Sequence, residues 1–184
     1  MKHDALQSEK FFRDLYLNNY LQMQYNFIHL FSEHLADCSR VFGADLQMVL
    51  VLAILGQRAL DARIQRDVSQ QGSVPPEVVP PEAHGINSSS IAEISGIPRE
   101  TVRRKLEALG ARGWIARDAR GLWSIVTNAD QARAREDLAE LDRRQMGRVS
   151  RFLADAHKIA VEARAGAVDP MRTPSSRNVA FGRD

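Results

Sequence analysis

The residues from Arg99 to Arg104 supply the groups in this chain that are best suited to recognise another molecule. Their sequence, RETVRR, places three arginine side chains beside one glutamate. An arginine fork can donate two hydrogen bonds to guanine O6 and N7 in the major groove of DNA, and a glutamate can accept one from cytosine N4. The alternative is a surface ion pair between Glu100 and Arg104, because residues four apart are neighbours on a helix. Both interpretations are open at this point.

A helix is needed to present these side chains on one face. Apolar residues at i, i+4 and i+7 predict a helix from about Pro98 to Leu109, with a buried stripe formed by Val102, Leu106 and Leu109. At about 100° per residue, Glu100 and Arg104 lie almost opposite this stripe. Gly110 follows as a residue at which the helix can end. The pattern therefore predicts one apolar face and one charged face.

A second, shorter helix is predicted just before this one. Ser90 and Glu93 have the Ser-x-x-Glu spacing of a capping box, in which each side chain satisfies a free backbone amide. Gly96 permits the backbone conformation with which helices commonly end, and Pro98 is accepted in the first turn of the next helix. Few residues remain between the two helices, so the sequence predicts a sharp turn.

Two runs rich in aromatic and β-branched residues follow and predict a β-hairpin. Its strands are expected at residues 114–117 and 122–126, joined by turn residues 118–121. Arg117 and Arg120 would lie at its tip, where a wing can reach a phosphate backbone, although a solvated hairpin tip suits arginine equally. The order of helix, turn, basic helix and hairpin predicts a winged helix-turn-helix within a mainly α fold.

The run GIPRETVRR at residues 96–104 resembles the recognition-helix region of bacterial regulators of the cyclic-AMP receptor protein group. The resemblance implies that Arg99, Glu100 and Arg104 read base edges. The LEAL and GWI runs that follow, together with the hairpin, are similar to the MarR and GntR families. The resemblance covers residues 88–126, and no β-rich cyclic-nucleotide domain is predicted before the motif.

Eight side chains are candidate DNA contacts in this arrangement. Five would face bases or nearby phosphates: Arg99, Glu100, Thr101, Arg103 and Arg104. Three would mainly neutralise phosphates: Lys105, Arg117 and Arg120. Residues 86–126 carry seven Arg or Lys and four Asp or Glu, an excess of +3, against −1 for residues 1–64 and +2 for residues 127–184. The positive excess includes the predicted recognition helix, which agrees with a phosphate-rich partner.

Long helices are predicted on both sides of the winged helix. Residues 1–42 form an N-terminal dimerisation helix whose apolar residues cover more than one face: Phe11, Phe12, Leu15, Tyr16, Tyr20, Met23, Phe27, Ile28, Leu30, Phe31 and Leu35. Residues 128–164 form a C-terminal dimerisation helix, starting at Asn128 or Asp130. Its seam is heptad-like: Leu138, Leu141, Gln145, Val149, Phe152, Ala156 and Ile159. This arrangement resembles the MarR family, in which both terminal helices build the dimer interface.

The apolar N-terminal helix predicts a partner, because a small domain alone cannot bury so many large side chains. A symmetric homodimer is favoured over an intramolecular pairing of the two terminal helices. The aromatic cluster is also compatible with the wall of a small-molecule pocket, but an effector has no further support in the sequence.

The winged helix-turn-helix domain itself is expected at residues 43–127. Its first helix is predicted from Leu46 to about Ile64, with Asp45 as N-cap and apolar periodicity at Leu46, Val49, Leu50, Ala53, Leu60 and Ile64. A proline-rich loop is predicted at residues 65–85. Residues 165–184 have the composition of a disordered tail.

The sequence lacks the motifs of common catalytic and cofactor sites. It contains no P-loop and no G-x-G-x-x-G, H-E-x-x-H or G-x-S-x-G motif, so neither an enzyme nor a cofactor is expected.

His29, His34 and Cys38 lie close together, but the other histidines do not complete a metal site, and none is expected. The single cysteine and the short longest apolar run, residues 48–55, favour a cytoplasmic protein without a membrane segment.

These patterns together predict a transcriptional regulator that binds double-stranded DNA sequence-specifically. As a homodimer it would place two recognition helices in successive major grooves of a pseudo-palindromic site. The alternative is a winged-helix module for protein–protein interaction that does not bind DNA. The outer face of the second helix in such modules is usually neutral or apolar, whereas residues 103–105 are all basic.

Overall fold

The computed structural model describes residues 2–71, 85–128 and 131–168. The chain is mainly helical, as predicted, with two small antiparallel sheets of two strands each in the described residues. It divides into two compact units. We call residues Glu33–Gln145 the core unit, and residues Met1–Ser32 with Met146–Asp184 the terminal unit.

The N-terminal helix predicted at residues 1–42 is observed as two helices, and the C-terminal helix predicted at residues 128–164 both starts and ends later than predicted. Helix α1 is Lys2–Asn18 and α2 is Tyr20–Val41. The helical hydrogen-bond pattern continues across Asn19, whose N–H donates to Leu15 O at 3.1 Å. Only Asn19 separates the two helices, so they follow the predicted single N-terminal helix closely. At the other end of the chain, α7 is Ala139–Val168, and it passes through Gly147 without a break.

Most large apolar side chains of the terminal unit are exposed. Leu15, Met23 and Ala160 are the buried apolar residues among its described side chains. The exposed ones are Phe12, Leu17, Tyr20, Leu21, Tyr25, Phe27, Ile28, Phe31, Met146, Val149, Leu153 and Val161. The rings of Phe27 and Phe31 stack on each other with centroids 6.0 Å apart. This unit thus presents apolar surface that its own described residues leave uncovered.

The core unit contains the end of α2, the start of α7 and all the elements between them. These elements are α3 (Leu46–Gln71), α4 (Ser88–Ser95), α5 (Arg99–Ala111), β1 (Ile115–Arg117), β2 (Trp123–Ile125), β3 (Thr127–Asn128), β4 (Gln131–Ala132) and α6 (Ala134–Asp137). The prediction that a long helix starts at Asn128 or Asp130 is wrong, because β3, β4 and α6 occupy most of the residues before Ala139.

The hydrophobic core forms where α3, α4 and α5 pack together with β1 and β2. Val102, Leu106 and Leu109 are fully buried, which confirms the predicted inner face of α5. They meet Val51 of α3 and Ile91 of α4 in one core cluster. Complete burial of a Val or Leu side chain stabilises a fold by roughly 1.5–3 kcal/mol, so these contacts hold α5 firmly.

The buried face of α3 differs from the predicted one. Its core residues are Met48, Val51, Ile54 and Leu55, with Ala62 further along. Five of the six members of the predicted periodicity are exposed: Leu46, Leu50, Ala53, Leu60 and Ile64. The first half of α3 is apolar on nearly every side, and periodicity cannot choose between two apolar faces. The N-cap is as predicted, since Met48 N–H donates to Asp45 Oδ1 at 3.0 Å.

Helix α4 begins two residues before the predicted capping box. Its N-cap is Asn87, whose side-chain oxygen accepts from Ser90 N–H at 2.8 Å, so the expected capping role of Ser90 is wrong. Asn caps helices as well as Ser does, and Asn87 lies directly before Ser88, the first residue of the observed helix. Gly96 ends the helix in a left-handed conformation with φ 69°, as predicted.

Helix α5 starts after Pro98, which serves as its N-cap residue, and it continues past Gly110 to Ala111. The prediction that Gly110 ends the helix is wrong. A Cβ at this position would lie 3.3 Å from the Trp123 ring, so glycine here allows the hairpin to approach the helix. Gly113, with φ 70°, is the residue at which the chain leaves the helical direction.

Parts of two segments that were predicted to be irregular are helical. In the loop predicted at 65–85, α3 continues to Gln71, and residues 72–84, including the prolines, lie outside the described residues. In the tail predicted at 165–184, α7 reaches Val168, and residues 169–184 lie outside the described residues. No single helix in the described ranges is long and apolar enough to span a membrane. Helix α2 and residues 46–65 pass that test only as a pair, and they are bent by 103°.

Candidate functional site

The outer face of α5 carries a chain of ion pairs centred on Arg103. Arg103 Nε donates to Glu100 Oε2 at 3.0 Å and Nη2 donates to Glu100 Oε1 at 2.6 Å. On the opposite side, Arg103 Nη1 donates to Glu107 Oε1. We call these three residues the Glu–Arg–Glu clamp. All three side chains are more than half exposed, so the clamp lies on the solvent side of the helix.

The clamp replaces the ion pair between Glu100 and Arg104 that the sequence left open. Arg103 lies three residues after Glu100 and four before Glu107, and both spacings bring side chains together on a helix. The hydrogen bonds from Arg103 lower the pKa of Glu100, and Glu100 in turn raises the pKa of Arg103. Both side chains are therefore charged throughout the neutral pH range.

Two arginines flank the clamp without a partner. Arg99 and Arg104 are exposed, and within the described parts of the chain neither makes a hydrogen bond or an ion pair. At about 100° per residue, Arg99 lies on one side of the clamp and Arg104 on the other. Thr101 is half-buried beside the core. The guanidinium groups of Arg99 and Arg104 thus have all their donors available for another molecule.

The hairpin adjoins this face of α5. A surface depression of about 550 Å³ is lined by Ser88, Arg99, Glu100, Arg103, Glu107, Arg117, Gly121 and Trp123. The Arg117 guanidinium lies over the Trp123 ring, 5.9 Å from its centroid, and Nε donates to Gly121 O at 3.3 Å. The structure therefore brings Arg99, Arg103 and Arg117 together along one groove.

The hairpin has the predicted strands and turn. Ile115 pairs with Ile125 and Arg117 with Trp123. The Asp118 carboxylate orders the turn by accepting from Leu122 N–H at 2.8 Å and from Arg120 N–H at 2.9 Å. The hydrogen bond from Leu122 is the main reason that the pKa of Asp118 is lowered. Arg120 also pairs with Asp118, at 3.1 Å, so part of its charge is neutralised within the turn.

Lys105 points away from the outer face of α5. Its Nζ donates to Asp45 Oδ2 at 2.6 Å, and both side chains are largely buried. Burial by itself would raise the pKa of Asp45, but the hydrogen bonds from Lys105 and Met48 outweigh it and keep the pKa below its usual value. A phosphate contact by Lys105, which the sequence predicts, would have to compete with this ion pair.

Sequence reasoning missed two contacts that hold the hairpin against the rest of the core unit. Ile86 forms an isolated antiparallel bridge with Trp123, with both hydrogen bonds 2.9 Å long. Trp114 Nε1 donates to Asp137 Oδ2 at 2.6 Å. The bridge is one residue long and follows a proline-rich segment, so no run of β-forming residues signals it. The acceptor for Trp114 lies 23 residues away, beyond any local pattern.

The histidines and the cysteine near the end of α2 do not assemble into a metal site. His34 Nε2 lies 3.4 Å from Cys38 Sγ, while His29 stacks on Tyr25 with centroids 6.1 Å apart. In the described ranges, no three or more His, Cys, Asp or Glu side chains form a group that could hold a metal ion. The buried Asp37 beside them accepts from Arg144 Nη1 at 3.3 Å and also pairs with Arg40.

The chain matches no protein-family model, no curated protein and no solved structure. The resemblance of residues 88–126 to bacterial regulators therefore stays a prediction from the residues themselves.

Proposed function

We propose that this protein binds double-stranded DNA sequence-specifically and regulates transcription. In this proposal α3, α4, α5 and the β1–β2 hairpin act as a winged helix-turn-helix, with α5 as its recognition helix. The observation that carries the proposal is the unpaired state of Arg99 and Arg104 on the outer face of a helix whose inner face is fully buried. Unpaired, exposed guanidinium groups on a firmly held helix are suited to hydrogen bonding with base edges.

The shape of α5 supports this assignment. A helix with its side chains is about 10–12 Å wide, and the major groove of B-DNA is about 12 Å wide. Three buried residues and the pair of Lys105 with Asp45 fix α5 against α3 and α4. A recognition helix must be held in this way, since it contacts bases with its exposed residues only.

The hairpin supplies the second contact in this proposal. Arg117 lies in the same groove as Arg99, and Arg120 lies in the turn beyond it. Contacts from such side chains to phosphates position a protein on the duplex without reading its sequence. Arg99, Glu100 and Arg104 are then left as the readers of bases, with Thr101 and Arg103 beside them.

The proposed assembly is a homodimer joined through the terminal unit. An aromatic side chain buries 150–250 Å² when fully covered. The twelve exposed apolar side chains here, of which five are aromatic, together offer on the order of 1,000 Å² of surface. A stable interface needs about 800 Å² from each partner. A second copy is the simplest partner, because a two-fold interface matches one face with itself. Such a dimer would present two α5 helices to a pseudo-palindromic site.

A protein–protein interaction module is the second candidate, and one observation favours it. Arg103, Lys105 and Arg120 are each paired with a carboxylate. The positive excess of residues 86–126 is therefore less available to phosphates than their number indicates. The small-molecule effector, which the sequence leaves possible but unsupported, has no part in either candidate. The aromatic residues that could form the wall of its pocket are exposed: Phe12, Tyr20, Phe27 and Phe31.

The two candidates are separated by DNA-binding measurements at several salt concentrations. We expect the protein to select a symmetric sequence from random duplexes, with an affinity that falls as salt rises. Arg104→Ala should cost about 1–3 kcal/mol at one base pair and relax specificity there. Arg58→Ala, an exposed arginine of α3, is the matched control and should leave binding unchanged. Absence of salt-dependent binding at low ionic strength would support the protein–protein module instead.

A further inference from the structure

The Glu–Arg–Glu clamp is more elaborate than a stabilising surface contact requires. Arg103 offers five N–H donors in a rigid fork, and three of them are directed at Glu100 and Glu107. Exposed ion pairs contribute little to stability, because water screens them and ordering two long side chains costs entropy. The clamp does, however, hold both oxygens of the Glu100 carboxylate in one place.

We infer that Arg103 is a positioning residue that holds the Glu100 carboxylate for selecting a cytosine amino group in the major groove. The inference rests on the proposed DNA binding of α5. It changes the role of Arg103 from the base or phosphate contact expected from the sequence to that of a support for its neighbour. Glu100 then reads the base, and Arg103 acts through it.

Two physical reasons connect the clamp with this selection. A free glutamate facing DNA samples several rotamers, and the phosphates repel its charge, so ordering it on binding would be costly. Arg103 removes both obstacles beforehand, because its fork fixes the carboxylate and balances its charge. An ionised carboxylate has about four acceptor sites on two oxygens. Glu100 can therefore accept from Arg103 and still accept one hydrogen bond from cytosine N4.

The flanking arginines make this arrangement selective. Arg99 and Arg104 have free donors and suit acceptor atoms such as guanine O6 and N7. Glu100, between them on the same face, is an acceptor and suits a donor. The outer face of α5 therefore presents a donor, an acceptor and a second donor in turn across the helix. The hydrogen bonds of the clamp keep the Glu100 carboxylate from pairing with Arg99 or Arg104 instead.

The test is a double-mutant cycle on base discrimination. Affinities of the full chain are measured for its selected duplex and for duplexes carrying each other base at every position. The variants are Glu100→Gln, Arg103→Gln, the double variant, and Arg103→Lys, which keeps the charge but loses the fork. Glu107→Gln is the control, because it releases only the far end of the clamp. Thermal unfolding of each variant checks that the fold is kept.

We expect Glu100→Gln to lower discrimination at one base pair about 5- to 100-fold. Arg103→Gln and Arg103→Lys should lower it at that same base pair, and the double variant should match Glu100→Gln. Glu107→Gln should have a smaller effect there. The opposite result is that Arg103→Gln weakens binding to all duplexes equally and reduces the salt dependence of the affinity, also when it is combined with Glu100→Gln. Arg103 would then contact a phosphate, and the inference would be overturned.

Two further outcomes are distinct. Unchanged discrimination in Arg103→Gln, in a protein that binds its selected duplex, overturns the positioning role alone. Failure of the unaltered protein to bind any duplex overturns the proposed function, and the inference with it.

Discussion

Helices of the core unit and of the terminal unit both carry large apolar side chains, yet these side chains are buried in one unit and mostly exposed in the other. In the core unit, α5 buries Val102, Leu106 and Leu109 completely against its neighbours. In the terminal unit, Leu21 is 85% exposed and most other large apolar residues are also uncovered. Apolar content therefore identifies helices in both units, but the presence of a packing partner decides what is buried.

The strongest expected effect is on the stability of the core unit. Leu106→Ala should lower the free energy of unfolding by about 2–5 kcal/mol, because it leaves a cavity where a fully buried side chain packs. Leu153→Ala, at a residue of α7 that is 59% exposed, should change it by less than about 0.5 kcal/mol in the monomer. Urea unfolding monitored by circular dichroism measures both. Equal losses of unfolding free energy in the two variants would contradict the difference in packing between the two units.

The next effect concerns the uncovered surface of the terminal unit. Leu21→Lys combined with Ile28→Lys should raise the dimer dissociation constant roughly thirtyfold or more, because interface centres do not accept unpaired charges. Gln22→Lys adds one such charge at a neighbouring exposed polar residue and should have little effect. Sedimentation equilibrium gives the masses. A chain that stays monomeric without any substitution would remove the homodimer from the proposal.

A smaller effect is expected at the junction of α3 and α5. Asp45→Ala removes an N-cap and the partner of Lys105, so it should cost about 1–2 kcal/mol. The folded-state pKa of Asp45 is lowered below the ordinary 3.8. Its contribution is therefore complete above that pH and is lost as the pH falls through the lower, folded-state pKa.

The measurement for Asp45 is the difference in unfolding free energy between the unaltered protein and Asp45→Ala across the acid range. The difference should be constant near neutral pH and shrink below about pH 4. A difference that stays constant at lower pH would mean that the carboxylate charge is not what stabilises the junction.

Alanine substitutions at two glycines, one in each unit, should change the stability in opposite directions. Gly113→Ala in the core unit should cost about 1–2 kcal/mol, because φ is +70° and a Cβ would meet the Arg133 guanidinium at 3.1 Å. Gly147→Ala in the terminal unit should stabilise the chain by about 0.5–1 kcal/mol, since its helical position leaves room for a methyl group. Melting temperatures report both signs. A loss of stability in Gly147→Ala would point to a contact that α7 makes there.

The sequence predicted the parts of the fold in which one face is unambiguous. The stripe of α5 was correct because its other face is strictly polar, and the hairpin was correct because turn residues separate two β-forming runs. The face of α3 was wrong because Met48 to Leu55 is apolar on all sides. The end of α5 was misplaced at Gly110, whose smallness serves packing against Trp123 rather than helix termination.

The sequence identified which residues of α5 face outward in the candidate site, but it did not identify which side chains pair with each other. Arg99, Glu100 and Arg104 are exposed on α5, as helical spacing requires. The pairing of Glu100 with Arg103 depends on side-chain rotamers, and the pairing of Lys105 with Asp45 joins residues 60 apart in the chain. Neither can be obtained from periodicity, because each depends on where a second side chain lies in space.

The two tryptophans of the chain give this protein a pair of built-in optical probes. Trp114 is 4% exposed and bonded to Asp137, so its emission should remain blue-shifted until the core unit unfolds. Trp123 lines the groove beside α5, under the Arg117 guanidinium. A bound molecule that moves Arg117 should therefore change the emission of Trp123 and leave that of Trp114 unaltered. Fluorescence of the unlabelled chain can thus follow occupancy of the groove and integrity of the fold in the same sample.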